Sequence, residues 1–261
     1  TNHINKVSGS SLIFSALLSP QGKYLVDFFV IKNDRGYLLD CDENSVKGLI
    51  DNLSKYKIRS KVEIKDMSSS YVVGIIHYEN FKIIQKELNK QTLTLHFRDS
   101  PIFVDPRDSD LGARIISPLE KLYLTIKKLN LKIVENNSYI KKAFLKGIPV
   151  EGLMSLQNQL FGLEINFEKL NAIDFKKGCY VGQENTARMK LKNKIRRQLM
   201  SIKTEKNVKI GDEIKYNDNV IGKILIDKPY PFALIKLFDP EFSLFGNKTL
   251  KINNNNAEII S

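Results

Sequence analysis

The first third of the chain switches between two hydrophobic periods. Runs rich in aromatic and β-branched residues cover 23–31 and 36–42, and the polar stretch KNDRG between them predicts a β-hairpin. Apolar positions then recur at helical spacing over 43–58, which predicts a helix behind an Asn or Asp cap. Further strands are predicted at 60–66, 71–78 and 91–97, with a helix over 80–90 before the last of them. Strands and helices mixed without regular alternation indicate an α+β fold.

The helical period continues through the middle of the chain and stops near residue 194. Ser117 as cap and Pro118 in the first turn predict a helix over 117–131. Further helices are predicted at 137–147 and 181–192. After residue 194, short strands broken by Gly-Asp and Asn-Asp turns predict a small β-barrel or sandwich.

Composition narrows the class of protein. The 261 residues are 42% hydrophobic, which is ample for the cores of two or three modules. The longest apolar runs fall well short of the roughly 20 residues that span a bilayer, so we expect no membrane segment. No basic-then-apolar leader opens the chain, so we expect no export signal. Two cysteines give no disulfide framework, which is typical of a reducing compartment.

The net charge of +12 raises the question of nucleic-acid binding. Lysine supplies 33 of the 41 basic residues, and these are scattered among Asn and Ile, which favours an ordinary solvated surface. The dense basic run at 190–197 is expected to be a solvated helix end, with RNA or an acidic partner as the alternative. Direct nucleic-acid binding is therefore the less favoured alternative.

Several chemistries find no support in the sequence. His3, His77 and His96 stand singly, without the spacing of a zinc site, so no metal site is predicted. No phosphate-binding glycine motif follows a predicted strand. Two cysteines cannot supply the four thiolates of a typical iron-sulfur cluster, so the monomer alone is not expected to hold one.

The stretch KKGCYVGQE places Cys179 between two glycines and ahead of a predicted helix. Thiolate is the reactive form of cysteine, and both nearby lysines and a helix N-terminus stabilise it. The alternative is structural: Gly178 and Gly182 shape a tight connection, Cys179 fills a small gap, and Glu184 pairs with Arg188. The residues alone leave both readings open. Cys41, within an apolar strand, is predicted to be a buried filler.

KKGCYVGQE followed by TAR resembles the signature of the YgfZ branch of the folate-binding, aminomethyltransferase-like (GcvT-like) family. Other segments fall in that family's order and approximate spacing, so the resemblance covers nearly the whole chain. They are ALLSPQGKYLVDF (16–28), YKIRSKVEIKD (56–66), DPRDSDLGAR (105–114), KGIPVEG (146–152) and LEINFEKLNAIDFKKGCYVGQE (163–184).

The resemblance implies a three-part architecture around a central opening. The expected parts are a first α+β domain from 1–43 with 111–194, an inserted α+β domain at 44–110, and a C-terminal β-barrel at 195–261. The chain begins at TNHI, as though about 30 residues of the first β-α unit were missing. It also has no Trp, so a folate contact that an indole makes in some relatives must come from Phe or Tyr here, or be absent.

The resemblance also implies a function. It indicates an accessory factor for the assembly or repair of iron-sulfur enzymes, including one that modifies tRNA, with tetrahydrofolate or another reduced folate as cofactor. Iron-sulfur client or assembly proteins are the implied partners. The location is the cytoplasm in a bacterium or the mitochondrial matrix in a eukaryote. Whether the protein catalyses a reaction is left open.

The implied site centres on a reactive Cys179 at the folate opening, on a strand-to-helix turn. The residues that match the motif or support the turn are Lys177, Gly178, Tyr180, Gly182, Gln183, Glu184 and Arg188. Lys177 is expected to stabilise the thiolate. Glu164, with Asn166, is the candidate for holding the pterin, because one carboxylate can accept its adjacent N–H donors. The alternative for Glu164 is a cap or salt bridge within its own turn.

Two other function classes compete with this reading. A tetrahydrofolate-dependent one-carbon transferase needs a carboxylate at the folate N5/N10 edge. By eye, Gly48 aligns with that Asp, although Asp40, Asp42 and Glu43 lie nearby in sequence. A Cys-His hydrolase would need a histidine beside Cys179, and no sequence feature places one there.

Overall fold

The structure is a computed structural model that describes residues 1–34, 36–192 and 195–260. The chain divides into two compact units. The first contains 1–17, 26–134 and 170–177, and the second contains 18–25, 135–169 and 178–261. The three-part division expected from the sequence stays a prediction, and its boundary at residue 194 lies outside the described residues.

The first strands form a three-stranded sheet in the order β1-β2-β3. These strands are β1 (Ile13–Leu18), β2 (Tyr24–Asn33) and β3 (Gly36–Asp40). β2 and β3 pair antiparallel, with Phe29 opposite Asp40, so the predicted hairpin is confirmed. Helix α1 (Val46–Lys57) follows and confirms the predicted helix. Leu49 is buried in a core with residues of β1 and β2, which explains its helical spacing.

The rest of the first unit is built on an antiparallel sheet in the order β4-β7-β6-β5. Its elements are β4 (Val72–Ile76), α2 (Tyr78–Glu87), β5 (Thr94–Phe97), β6 (Ser100–Val104), β7 (Ala113–Ser117) and α3 (Leu119–Lys128). Phe81 and Ile84 of α2 are fully buried against this sheet's core residues. Sheet and helix therefore share one hydrophobic core.

Two local predictions in this unit are wrong. Residues 60–66 form no strand, although their apolar and polar positions alternate. Ser117 does not cap α3, because it is the last residue of β7 and its buried hydroxyl accepts from Ser100 Oγ at 2.8 Å. Pro118 takes the cap position instead.

The described residues of the second unit include two α-helices and a closed six-stranded barrel, which confirms the C-terminal β-barrel that the resemblance implied. The helices are α4 (Asn137–Leu145) and α5 (Gln183–Leu191), and the barrel order is β10-β11-β8-β13-β12-β9. The strands are β8 (Arg197–Thr204), β9 (Glu213–Tyr216), β10 (Asn219–Ile226), β11 (Phe232–Lys236), β12 (Leu250–Ile252) and β13 (Asn255–Ile259).

Two Asn-rich turns close hairpins of the barrel. Asn217 and Asp218, between β9 and β10, both have positive φ, and so do Asn253 and Asn254, between β12 and β13. Two consecutive positive-φ residues match the twist of a two-residue hairpin, and Asn and Asp tolerate that conformation better than most residues. The Asn run near the C-terminal end therefore has a structural role.

Candidate functional site

Cys179 lies in an irregular segment just before α5, and its side chain is exposed and unpaired with the other cysteine. The prediction that a helix follows the cysteine is confirmed. The prediction that a strand precedes it is wrong, because residues 174–180 contain only turns and irregular backbone. The turn before it is set by Asp174, whose carboxylate accepts from Lys176 N at 2.8 Å.

Gly182 fixes the end of this segment against the loop that joins β1 to β2. Its φ is +83°, and a Cβ there would lie 2.6 Å from Ser19 O and 2.9 Å from Gly22 Cα. A Cβ on Gly22, whose φ is also +83°, would lie 3.1 Å from Gly182 O. Two backbones this close leave room only for glycine. Gly178 differs, since a Cβ there would meet no described atom within 4 Å.

Side chains of α5 hold the same segment from the other side. Gln183 Oε1 accepts from Tyr180 N at 3.3 Å, while Gln183 N donates to Tyr180 O at 3.1 Å. Asn185 Nδ2 donates to Gln21 O at 2.9 Å. Thr186 is buried, and its hydroxyl donates to Gly182 O at 2.9 Å. The backbone on either side of Cys179 is therefore tied down while its sulfur faces solvent.

Arg188 contacts Asn185 and not Glu184, its partner in the structural alternative. Its Nη2 donates to Asn185 Oδ1 at 2.7 Å, on the preceding turn of α5. Glu184 and Arg188 are both exposed. The Arg188 contact helps to orient Asn185, which itself anchors the helix to Gln21.

Lys177 belongs to the first unit and makes hydrogen bonds within it. Its Nζ donates to Asn2 O at 3.1 Å, and its backbone N donates to Asp174 O at 3.3 Å. Burial lowers the pKa of Lys177, and the nearby Asp174 carboxylate acts in the opposite direction. Asp174 also pairs with Lys6 at 2.8 Å, which lowers the pKa of that carboxyl. The effect of Lys177 on the Cys179 thiol stays a prediction.

Glu164 is only 3% exposed and its carboxylate already has partners. Oε1 accepts from Arg197 Nε at 3.0 Å and from Arg197 Nη2 at 2.9 Å, while Oε2 accepts from Phe161 N at 3.0 Å. Its backbone oxygen also accepts from Leu199 N at 2.7 Å. These contacts match the alternative stated for Glu164, a cap or salt bridge within the fold.

Asn166 makes a second tie to the same strand. Its φ is +64°, and its Nδ2 donates to Leu199 O at 2.9 Å while its Oδ1 accepts from Gln198 Nε2. Glu164 and Asn166 therefore clamp the turn at 161–167 onto β8. Their binding of folate stays a prediction.

Among the described residues of the first unit, two largely buried ion pairs were not predicted from the sequence. Arg107 pairs with Asp105 at 2.7 Å, with 5% and 1% of the two side chains exposed, and its guanidinium lies over the Phe14 and Phe29 rings. Arg114 pairs with Asp40 at 2.8 Å and also lies over Phe29. Both arginines belong to DPRDSDLGAR. Asp105, two residues before Arg107, was an available signal for the first pair, while Asp40 lies far from Arg114 in sequence. A buried guanidinium group needs a paired carboxylate, because an unpaired charge in the interior is strongly destabilising.

The described residues contain no group of three His, Cys, Asp or Glu side chains arranged to hold a metal ion. Cys41 lies just beyond the end of β3 and is half-buried, so the prediction of a buried strand residue is wrong, although Cys41 does pack beside the core of the first unit. Burial, followed by the charge of Asp40 and other carboxylates, raises the pKa of the Cys41 thiol to about 12. Cys41 is therefore protonated at neutral pH, which fits a structural filler.

Among the described helices, none has the length and apolar character needed to cross a bilayer.

The fold is that of the aminomethyltransferases. The structure aligns with glycine cleavage system aminomethyltransferase T from Bartonella henselae at a TM-score of 0.72, covering 98% of this chain and 76% of that one. The two sequences are 11% identical, so this likeness defines the fold alone. A scan of the chain against protein-family models gives no match.

Curated relatives by sequence are mitochondrial iron-sulfur cluster assembly factors named IBA57 or its homologues. The chain is 26% identical over 247 residues to the Dictyostelium discoideum protein, 28% over 264 to that of Neurospora crassa and 28% over 201 to that of Mus musculus. These alignments cover 82%, 92% and 74% of this chain but 59%, 54% and 53% of the relatives. The chain thus spans a little over half their length. Together, fold and sequence confirm the predicted resemblance to the folate-binding, aminomethyltransferase-like family.

Proposed function

We propose that this protein is an accessory factor for the assembly or repair of iron-sulfur proteins and that Cys179 is its reactive residue. The observation that carries the proposal is an exposed free thiol on a segment fixed by Gly182 and Gln183. The names of the sequence relatives support the same role. An exposed thiol on a segment held by these contacts is accessible to a partner protein.

The chemistry follows from what one thiol can and cannot do. A cysteine thiolate is a soft ligand for iron and a nucleophile in sulfur exchange. A single thiolate is too few ligands for a cluster, so the other ligands must come from the partner protein. Cys179 would bind iron transiently, or would take the outer sulfur of a partner's persulfide as the partner's thiolate leaves, and would pass that sulfur on by the same exchange with an acceptor thiol. Iron-sulfur client or assembly proteins, including an enzyme that modifies tRNA, are the partners that we propose.

Reduced folate is proposed as a ligand because of the fold. The residues nominated to hold the pterin do not fit that task as they are arranged. The Glu164 carboxylate is buried and engaged by Arg197 and Phe161, so an incoming pterin would have to displace the ion pair. No step of the proposed function is therefore assigned to folate.

The second candidate is a tetrahydrofolate-dependent one-carbon transferase, which the fold favours. Its required carboxylate is absent at the aligned position, where Gly48 lies on α1. Of the nearby acids, Asp40 is buried in its pair with Arg114, and Asp42 accepts from Asn44 N at 2.9 Å. Asp40 and Asp42 thus both have structural roles, and this favours the accessory role over the transferase.

Loss of the natural gene separates the two candidates. An accessory factor predicts that several iron-sulfur enzymes lose activity in the cell, while glycine-dependent one-carbon supply and cluster-free enzymes in the same compartment do not. A transferase predicts the opposite pattern. We propose the bacterial cytoplasm or the mitochondrial matrix as that compartment, and the relatives are named as mitochondrial. Unchanged iron-sulfur enzyme activity would refute the proposed function.

A further inference from the structure

The segment at 55–67 runs from the last turn of α1 into the connection to β4. A strand is predicted at 60–66, but most of the backbone there is unpaired. After Val62 N, which donates to Ser60 O at 2.9 Å, the N–H groups of 63–66 have no backbone partner among the described residues. Its sequence nevertheless has the alternation of a strand, with Val62 and Ile64 between charged residues. Unpaired backbone with strand propensity is a template for another strand.

The same segment exposes apolar side chains that a monomer would ordinarily cover. Ile58 is 84% exposed and Val62 is 53% exposed, and Tyr56 and Met67 are also exposed. Ile58 has φ +42° and ψ −107°, a conformation that is strained for a β-branched residue. Burial of its own side chain does not offset this strain. Clustered exposed apolar residues usually mark a surface that contacts another molecule.

The charge of the segment defines the chemistry of that molecule. The thirteen residues contain five cationic side chains and two carboxylates. The cations are Lys55, Lys57, Arg59, Lys61 and Lys65, and the carboxylates are Glu63 and Asp66. Glu63 is paired with Lys65 at 3.1 Å, and Asp66 accepts from Ser68 N at 2.9 Å. Glu63 offsets the charge of Lys65, and the other four cations outnumber the single charge of Asp66, so an approaching partner meets a predominantly positive surface.

We infer that the 55–67 segment docks an acidic partner protein, whose edge strand pairs with residues 61–66 while its apolar residues cover Ile58 and Val62. Main-chain pairing would supply affinity, and the lysines would select an acidic strand. RNA fits less well. Base stacking uses several aromatic and arginine side chains, and residues 55–67 include one of each, Tyr56 and Arg59. The segment lies in the first unit and does not include Cys179, so this inference goes beyond the proposed function.

Site-specific photocrosslinking in cells tests the inference. The natural protein carries p-benzoylphenylalanine at position 62 or, as a control, at position 210, where Ile210 of the second unit is similarly exposed. We expect a protein adduct from position 62 that is absent from position 210, with the crosslink mapped to an acidic strand of the partner. The double substitution Lys61→Glu with Lys65→Glu should reduce this adduct about tenfold, since like charges then face each other. Lys206→Glu should leave it unchanged.

Other outcomes overturn the inference. These are an adduct with RNA, an adduct with a second copy of the chain, an adduct insensitive to charge reversal, or none beyond the control. Thermal unfolding of each variant shows whether it folds, and Val62→Ser provides a milder variant that should also lose adduct when combined with the probe at position 58. The adduct should persist in Cys179→Ala, so that failure of docking and failure of the thiol proposal are distinguishable.

Discussion

Gly22 and Gly182, separated by 160 positions in sequence, approach so closely that neither can carry a Cβ without meeting backbone of the other's segment. Both are buried, and both have φ of +83°. Their contact joins the loop after β1 to the start of α5, three residues beyond Cys179. The position of the thiol within its unit therefore depends on two glycines.

Gly182→Ala is expected to destabilise the protein by about 2 to 4 kcal/mol, from strain at positive φ added to the clash with Ser19 O. Chemical denaturation measures this free energy of unfolding. Gly178→Ala is the matched control, because its Cβ has space and its φ is not positive. It should change stability by less than about 1 kcal/mol in either direction. Equal losses from the two variants would show that the close approach does not matter.

Arg197→Ala is expected to cost more stability than Glu164→Gln. Removing Arg197 leaves a buried carboxylate without its cation, at about 3 kcal/mol or more. Glu164→Gln keeps an acceptor for Phe161 N and leaves Arg197, which is about half exposed, able to turn to water. Its expected cost is about 1 to 2 kcal/mol. The reverse order in urea unfolding would contradict the assignment of Glu164 as a structural residue.

The two cysteines should react very differently. Thiolate is the form that alkylates, and the raised pKa of Cys41, about 12, keeps it protonated well above neutral pH. Iodoacetamide at pH 8 should label Cys179 in the native protein and label both residues only after unfolding. The raised pKa also makes the free energy of unfolding depend on pH. The Cys41 thiol ionises at lower pH in the unfolded chain than in the folded one, so its contribution to stability is complete below the unfolded pKa and is lost as pH rises toward 12. Mass spectrometry of the labelled peptides decides; native labelling of Cys41 would contradict this picture.

Ile58→Gly is expected to stabilise the isolated protein by about 1 kcal/mol, since relief of strain exceeds the added entropy of the unfolded chain. Ile58→Ala is the control, because it removes the exposed side chain without giving glycine's freedom at positive φ. A calorimetric melting temperature that falls in the glycine variant would mean that Ile58 supports the fold and is not held there for a partner.

Much of the fold could be predicted because the spacing of hydrophobic residues along the chain shows which face of a helix or strand is buried. The β2–β3 hairpin, α1 and the barrel strands all carry that signal. Residues 60–66 show its limit, since alternation records a propensity to pair and cannot say whether a partner strand is present in the same chain. The Gly22–Gly182 contact and the Glu164–Arg197 pair join distant positions, and a single sequence does not encode which distant residues meet.

The most direct test of the central claim is rescue of iron-sulfur enzyme activity by Cys179→Ala in cells that lack the natural protein. Cys41→Ala and the unchanged protein are the controls, and immunoblotting confirms equal abundance. Ala nearly preserves the volume of an exposed side chain, so the fold should stand. We predict that the unchanged protein and Cys41→Ala restore activity and that Cys179→Ala does not. Full rescue by Cys179→Ala at normal abundance would show that the segment matters for its shape and that the sulfur is not used.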